Sequence, residues 1–165
     1  MVTKLNSYSL TDDIVIRMRQ KIEETKQKKI ELGFGLCHIK PADILKTGEE
    51  CTGDQCSILP MTECPTGVYI GGFHTHPKGG TQPSIADLRN AYINDLECVG
   101  AANNDRIRCF VRIGTRKPED EQNIKSLEEE VETSVTGIAT IEQYNRWRKA
   151  RDEIWNKHFQ TVTVQ

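Results

Sequence analysis

A short apolar run ends in two histidines separated by one threonine, and this pattern constrains the fold more than any other feature of the chain. Residues 68–73 have a composition that predicts a central strand, and His74, Thr75 and His76 follow directly. Side chains two residues apart on a strand point the same way, so both histidines face one side and Thr75 faces the other. Two neighbouring imidazoles are a natural pair of zinc ligands. The pattern therefore predicts a strand whose end carries two metal ligands on one face.

An acidic residue follows at a distance that suits a third ligand. Residues 84–96 have a helical pattern, with Ser84 at the N-cap and Asp87 in the first turn. A catalytic zinc is held by three protein ligands and keeps a fourth position open for water, so Asp87 completes a candidate set with His74 and His76. Each piece also has a simpler interpretation. The histidine pair alone can be incidental, and Ser84 with Asp87 has the spacing of a capping box. Because all of these side chains occur in one short stretch, we favour the metal centre.

The rest of the chain predicts a mixed α/β domain flanked by helices. Apolar residues recur every four positions from Leu10 to Ile22, which predicts an amphipathic helix with Thr11 as its N-cap. Further strands are expected where glycines, β-branched residues and aromatic residues interleave. These strands are residues 30–39, 99–102 and 107–113.

The domain organisation follows from two changes in composition. Residues 41–65 are polar, rich in glycine and cysteine and weakly periodic, which predicts a long loop or insertion. From residue 118 the pattern is helical to the end, with Val135 in an apolar stripe and Gly137 as a break. We therefore divide the chain into a core at 1–117 and a C-terminal helical extension of the same domain at 118–165. The extension is expected either to pack on the core or to form a homodimer.

Composition argues against two classes of partner. The 165 residues fit one domain, and a net charge of -2 gives no electrostatic reason to expect a nucleic acid. The basic cluster at 146–149 is interpreted as a solvated helix face with Trp147 turned inward. No apolar run approaches the roughly 18 residues that span a bilayer, and residues 1–6 lack the apolar part of a signal peptide. The expected location is the cytoplasm, without a membrane partner.

The six cysteines fall into two groups. Three of them lie in apolar, strand-like stretches and are expected to be small buried thiols. These are Cys37, Cys98 and Cys109. The other three, Cys51, Cys56 and Cys64, cluster without the close pairs of a zinc ribbon, so a second structural metal and a disulfide both remain open. A disulfide would suit a protein of a hyperthermophile or of a virus that infects one.

The motif resembles that of the JAMM (MPN-plus) zinc metalloproteases. Their pattern is an upstream glutamate, His-x-His, seven residues, a serine, two residues and an aspartate. Here seven residues separate His76 from Ser84, and Ile85-Ala86 separates Ser84 from Asp87, so the match is complete. The resemblance covers residues 30–113. It implies a cytidine-deaminase-like fold, a curved mixed sheet flanked by helices, with one zinc on His74, His76 and Asp87.

The resemblance also implies roles for two further residues. Glu31 precedes a strand-like stretch and lies at the usual family distance from the histidines, whereas Glu23 and Glu24 are weaker candidates inside the helical pattern. Glu31 would take a proton from a zinc-bound water and later give it to the leaving amine. Ser84 would stabilise the oxyanion that develops beside the zinc.

The function implied by the resemblance is that of a zinc-dependent peptidase or isopeptidase. The family cuts amide bonds at the C-terminus of ubiquitin or ubiquitin-like proteins, so such a protein or its conjugate is the expected partner. Family members that act only as scaffolds lack some motif residues, whereas this chain keeps all of them. Two alternatives are a viral or phage endopeptidase of the same fold and a non-catalytic interaction module that binds metal structurally.

Overall fold

The computed structural model describes residues 2–42, 44–58, 63–134 and 139–164. Its strands are β1 (Val2–Leu5), β2 (Tyr8–Thr11), β3 (Leu32–Ile39), β4 (Ile44–Thr52), β5 (Val68–His76), β6 (Leu96–Ala101), β7 (Ile107–Arg112) and β8 (Phe159–Val164). Its helices are α1 (Asp12–Lys28), α2 (Gln55–Ile58), α3 (Ile85–Asn94), α4 (Pro118–Ser134) and α5 (Ile141–His158). The predicted mixed α/β domain with flanking helices is confirmed.

The strands form one mixed sheet in the order β1-β2-β4-β3-β5-β6-β7-β8. Strand β5 lies near the middle, antiparallel to β3 and parallel to β6. A parallel neighbour requires a crossover connection, and α3 supplies it between β5 and β6. The crossover brings the start of α3 back to the end of β5, where the histidines lie.

Two apolar cores lie on opposite faces of the sheet. On one face, α1 packs through Ile14, Met18 and Ile22 against a cluster that includes Phe73. The other face is covered by α3 together with parts of the C-terminal segment. Because side chains alternate along a strand, His74 and His76 point to the α3 face, opposite Phe73 and Thr75.

Two glycines allow the central strands to approach closely. Gly33 on β3 pairs with His74, and a Cβ atom there would lie only 2.2 Å from the carbonyl oxygen of Phe73. Gly71 has a φ of +144°, and a Cβ atom there would lie 1.8 Å from the carbonyl oxygen of Leu96. The glycines around the histidine strand are therefore needed for packing.

Several element predictions were wrong, and the errors have a common cause. The helical prediction for the end of the chain fails at β8, where Phe159–Val164 pairs with β7. The predicted loop at 41–65 contains β4, which pairs with β3. The hairpin of β1 and β2 was also missed. These strands are short or polar on one side and depend on a neighbour for their stability. Val135, Gly137 and residues 59–62 lie outside the described residues.

The cysteine predictions need correction, because all six cysteines are paired. The disulfides are Cys37–Cys64, Cys51–Cys56 and Cys98–Cys109. The expected buried thiols at positions 37, 98 and 109 are therefore wrong, and the disulfide alternative holds for the cluster. Disulfides are rare in cytosolic proteins other than those of hyperthermophiles, which weighs against the cytoplasmic expectation. In the described part of the chain, no helix is both long and apolar enough to span a membrane.

We expect the disulfides to contribute to stability in proportion to the loops they close. Cys37–Cys64 spans 27 residues and Cys51–Cys56 spans 5. Replacing both cysteines of the longer pair by alanine should lower the free energy of unfolding by about 3–4 kcal/mol, and replacing the shorter pair by about 2 kcal/mol. Urea denaturation followed by circular dichroism measures both. Six titratable thiols in the denatured, unreduced wild type would contradict the pairing.

Candidate metal centre

The two predicted histidines lie side by side at the end of β5. Their Nε2 atoms are 3.2 Å apart and their ring centroids 5.0 Å apart. His74 is buried with 5% of its surface exposed, whereas His76 is half-buried at the edge of a cleft. The strand alternation inferred from the sequence thus places both imidazoles on the α3 face.

Asp87 lies in the first turn of α3 and contacts both histidines. Its Oδ1 atom is 3.2 Å from Nε2 of His74, and its Oδ2 atom is 3.7 Å from Nε2 of His76. The capping box is also present. The backbone N–H of Ser84 donates to Oδ2 of Asp87, and the N–H of Asp87 donates to Oγ of Ser84. The capping box holds the Asp87 carboxylate at the start of α3, facing the histidines, which is where a metal ligand would have to be.

The spacing of these donor atoms fits a tetrahedral metal. Zinc bonds to nitrogen and oxygen are about 2.0–2.1 Å long, so two donors on one tetrahedral zinc are about 3.3–3.4 Å apart. The two histidine Nε2 atoms are 3.2 Å apart, and Oδ1 of Asp87 is 3.2 Å from Nε2 of His74, so both separations lie near this value. The 3.7 Å separation from His76 belongs to the other carboxylate oxygen of Asp87, Oδ2. Glu31 is a second acid near the pair, since a carboxylate oxygen and one nitrogen of each histidine lie within 4.8 Å of one another. Either Asp87 or Glu31 could therefore complete a set of three.

The charges of the site are strongly coupled. Burial by itself would lower the pKa of His74, but the carboxylates of Asp87 and Glu97 raise it well above its usual value. Burial would raise the pKa of Asp87, but His74 and His76 hold it far below its usual range. Asp87 is therefore ionised at neutral pH. A metal that binds here must displace the proton from His74, so acid should weaken binding.

Glu97 is a part of the site that the sequence analysis missed. One of its carboxylate oxygens lies 3.0 Å from Nδ1 of His74. The other accepts hydrogen bonds from the Nδ2 group of Asn90 at 2.7 Å and from the backbone N–H of Gly72 at 3.2 Å. Burial raises the pKa of the Glu97 carboxyl. A signal was available, because Glu97 is a single acid inside the apolar strand β6.

Both histidines are held with their Nε2 atoms toward the carboxylate of Asp87. The Nδ1 atom of His76 lies 2.9 Å from the carbonyl oxygen of Gly80, which can only accept, so Nδ1 must carry a proton. Glu97 has the same effect on Nδ1 of His74. In each ring the Nε2 atom is left as the metal-binding nitrogen.

Thr75 anchors the histidine strand from the opposite face of the sheet, where α1 packs. It is fully buried, and its Oγ1 atom accepts a hydrogen bond from the backbone N–H of Leu32 at 2.9 Å. Its hydroxyl also lies 2.6 Å from that of Thr25 in the last part of α1. On the residue before Leu32, the carbonyl oxygen of Glu31 accepts a hydrogen bond from the backbone N–H of Gly53 at 2.7 Å. The backbone that carries Glu31 is thus held at both ends.

These residues line a cleft of 610 Å³. Glu31 and both histidines line it, together with residues of α3. Glu128 and Glu132 of α4 also line it, and Glu128 is paired with Arg89 of α3 at 2.9 Å. The cleft brings together all five residues predicted from the sequence: Glu31, His74, His76, Ser84 and Asp87.

Comparison of the chain with known protein families and with curated protein sequences finds no match. The assignment of function therefore depends on the residues of this cleft and on their geometry.

We expect the purified protein to bind about one zinc per chain, since the cleft offers one set of three ligands with an open position. His76→Ala removes one ligand and should abolish tight binding, as measured by metal analysis after dialysis against a weak chelator. His38→Ala is the control, because His38 does not line the cleft. Wild-type zinc content in His76→Ala would contradict the assignment.

Glu97 should affect the metal although it is not a ligand. Replacing it by alanine removes the acceptor that orients His74, and such changes typically weaken metal affinity by about 10–100-fold. Glu97→Gln keeps an acceptor oxygen for Nδ1 and should lose less. Competition with a fluorescent zinc chelator measures both affinities, and circular dichroism checks the fold. Equal affinity in Glu97→Ala and the wild type would exclude the orienting role.

Proposed function

We propose that the protein is a zinc-dependent peptidase or isopeptidase of the JAMM type. The observation that carries the proposal is the triangle of His74, His76 and Asp87 with the carboxylate of Glu31 beside it. The central βαβ unit, with α1 on the opposite face, supports the cytidine-deaminase-like fold implied by the resemblance. Catalytic centres of this kind need three ligands and one separate base, and the cleft supplies both.

Asp87 is the better third ligand and Glu31 the better base. Asp87 contacts both imidazoles directly, and its carboxylate is fixed by the start of α3, whose dipole favours a negative charge. Glu31 directly precedes β3 and is half-buried at the cleft. When bound, zinc supplies a Lewis acid and a water whose pKa is lowered to about 7. Glu31 would accept a proton from that water and pass it to the amine that leaves.

Ser84 suits the role of an oxyanion donor. Its Oγ atom accepts a hydrogen bond from the N–H of Asp87, so the hydroxyl hydrogen remains available for another partner. The residue is exposed and lines the cleft next to Asp87. A hydroxyl there can donate to the carbonyl oxygen of a substrate as negative charge develops on it.

The substrate we propose is a ubiquitin-like protein or one of its conjugates, cut at the C-terminal amide bond. One observation favours the alternative of a viral or phage endopeptidase. Three disulfides suit a protein that works in an oxidising environment, where intracellular modifiers are not the obvious substrate. Cleavage of ubiquitin-like fusions, compared with cleavage of unmodified proteins, distinguishes the two.

The decisive variant is Glu31→Gln. It keeps the size of the side chain but removes the basic carboxylate, so zinc content should be retained while the rate falls by about 10²–10⁴-fold. Glu23→Gln is the matched control, because Glu23 is an exposed residue of α1 paired with Lys26. The assay measures chelator-sensitive cleavage of ubiquitin-like fusions and isopeptide conjugates. Ser84→Ala in the same assay should lower the rate by about 10²–10³-fold.

Three results would contradict the proposal. An unchanged rate for Glu31→Gln would exclude it as the base. Loss of zinc from the same variant would make Glu31 a ligand. No chelator-sensitive cleavage of any peptide or conjugate by the zinc-loaded protein would favour a non-catalytic interaction module. Since Ser84→Ala also removes an N-cap, at a cost of about 1 kcal/mol, thermal unfolding is measured beside its activity.

A further inference from the structure

A second cleft lies between the sheet and α5, and its lining is basic. Its volume is 780 Å³. Arg108 of β7 and Arg148 and Arg151 of α5 line it, together with the single acid Asp152. Three positive charges against one negative charge leave the cleft with a net charge of +2.

Two of these arginines have no acidic partner among the residues that the structure describes. Arg151 pairs with Asp152 at 3.0 Å, but within the described ranges Arg108 and Arg148 form no ion pair. The Nε atom of Arg108 is buried and makes no hydrogen bond in that part of the chain. The part of the Arg108 and Arg148 guanidinium groups that lines the cleft is a cation without a carboxylate neighbour in the described ranges, which favours an anionic ligand.

The basic cleft lies beside the metal centre. In the sheet register, His74 pairs with Val99, and Val99 pairs with Arg108. Directly paired residues point to the same face, so Arg108 and His74 share the α3 face. They are two strand spacings apart, or about 10 Å. Gln82, which lines the basic cleft, is only two residues before Ser84.

We propose that the basic cleft is a subsite for an acidic segment of the protein substrate, a proposal that depends on the proposed peptidase function. An extended peptide advances about 3.3 Å per residue, so a carboxylate in this cleft would lie roughly three or four residues from the bond that is cut. Arg108 and Arg148 bind the carboxylate by charge-assisted hydrogen bonds. Trp155, whose Nε1 already donates to Thr161 at 2.7 Å, offers its ring as an apolar wall.

An acidic peptide fits better than a nucleic acid. A nucleic acid is held by a row of cations that follows its phosphates, whereas here the unpaired charges are confined to one cleft. Of the basic cluster at 146–149, only Arg148 lines the cleft, Trp147 is buried, and Arg146 pairs with Glu130. The net charge of the whole chain is -2.

Binding is tested without the metal, so that the result does not depend on catalysis. Fluorescence anisotropy in the presence of a chelator compares a labelled peptide rich in aspartate and glutamate with its asparagine and glutamine counterpart. The acidic peptide should bind in a salt-sensitive manner, and Arg148→Glu should weaken binding by about tenfold or more. Lys149→Glu is the matched control, since it makes the same charge change on the next residue, outside the cleft.

Equal weakening by both variants, or no binding of the acidic peptide, would overturn the subsite. So would a labelled single-stranded oligonucleotide that binds more tightly than the peptide and is equally sensitive to Arg148→Glu. A second measurement tests the place of the subsite in the reaction. In a series of substrates that differ only in the position of one acidic residue relative to the scissile bond, one position should give a lower KM than the others. Arg148→Glu should raise that KM to the value of the other substrates.

The same KM at every position would overturn the link to the reaction. If no substrate is cleaved at all, the peptidase proposal fails, while the anisotropy result still decides whether the cleft binds acidic peptides.

Discussion

The hydroxyl of Thr75 accepts a hydrogen bond from the backbone N–H of Leu32, 2.9 Å away, on the side of β5 opposite the histidines. It also contacts the hydroxyl of Thr25 at 2.6 Å. One buried residue thus joins α1, β3 and β5 at the level of the site. Because Thr75 lies between His74 and His76 in the chain, these contacts also fix the backbone from which both imidazoles project. Glu31 directly precedes Leu32 in the chain, so the same contact helps to hold Glu31 near His74 and His76.

The electrostatics of the site favour a cation at its centre. Asp87 and Glu97 lie on either side of His74, and Glu31 adds a third carboxylate nearby. In the metal-free protein, a proton on His74 balances part of this charge, and its pKa is raised accordingly. A divalent metal would balance more of it and would replace that proton. Removing one partner from such a buried network costs more than the network contributes, because a charge is left without a partner.

The parts of the site that could be predicted from the sequence are those encoded by local spacing. The alternation of His74, Thr75 and His76 on a strand, and the place of Asp87 one turn into a helix, follow from backbone geometry alone. The position of Glu31 could be proposed only from a resemblance, because its distance from the histidines depends on how β3 pairs with β5. Glu97 was missed for the same reason, since its contact with His74 arises from the register of β5 and β6.

The disulfides and the basic cleft show the same limit. The spacing of six cysteines does not specify which of them pair. Cys37 of β3 bonds to Cys64 because the folded chain places the segment before β5 next to β3. The charge of residues 146–149 was visible in the sequence. However, Arg108 and Arg148 are 40 residues apart in the chain, and they line the same cleft only because α5 packs on β7 and β8. Polar strands such as β4 become strands through their neighbours rather than through their own composition.

The C-terminal segment is integral to the domain and contributes to both clefts. Phe110 of β7 packs edge-on against Trp155 of α5, with ring centroids 5.4 Å apart. The backbone N–H of Lys117 donates to the hydroxyl of the buried Tyr92 on α3, at 2.8 Å. Helix α4 then supplies Glu128 to the wall of the metal-site cleft, and α5 supplies arginines to the basic cleft. In the proposed peptidase, this segment would select substrates because it forms walls of both clefts, while β5 and the start of α3 would hold the residues that act on them.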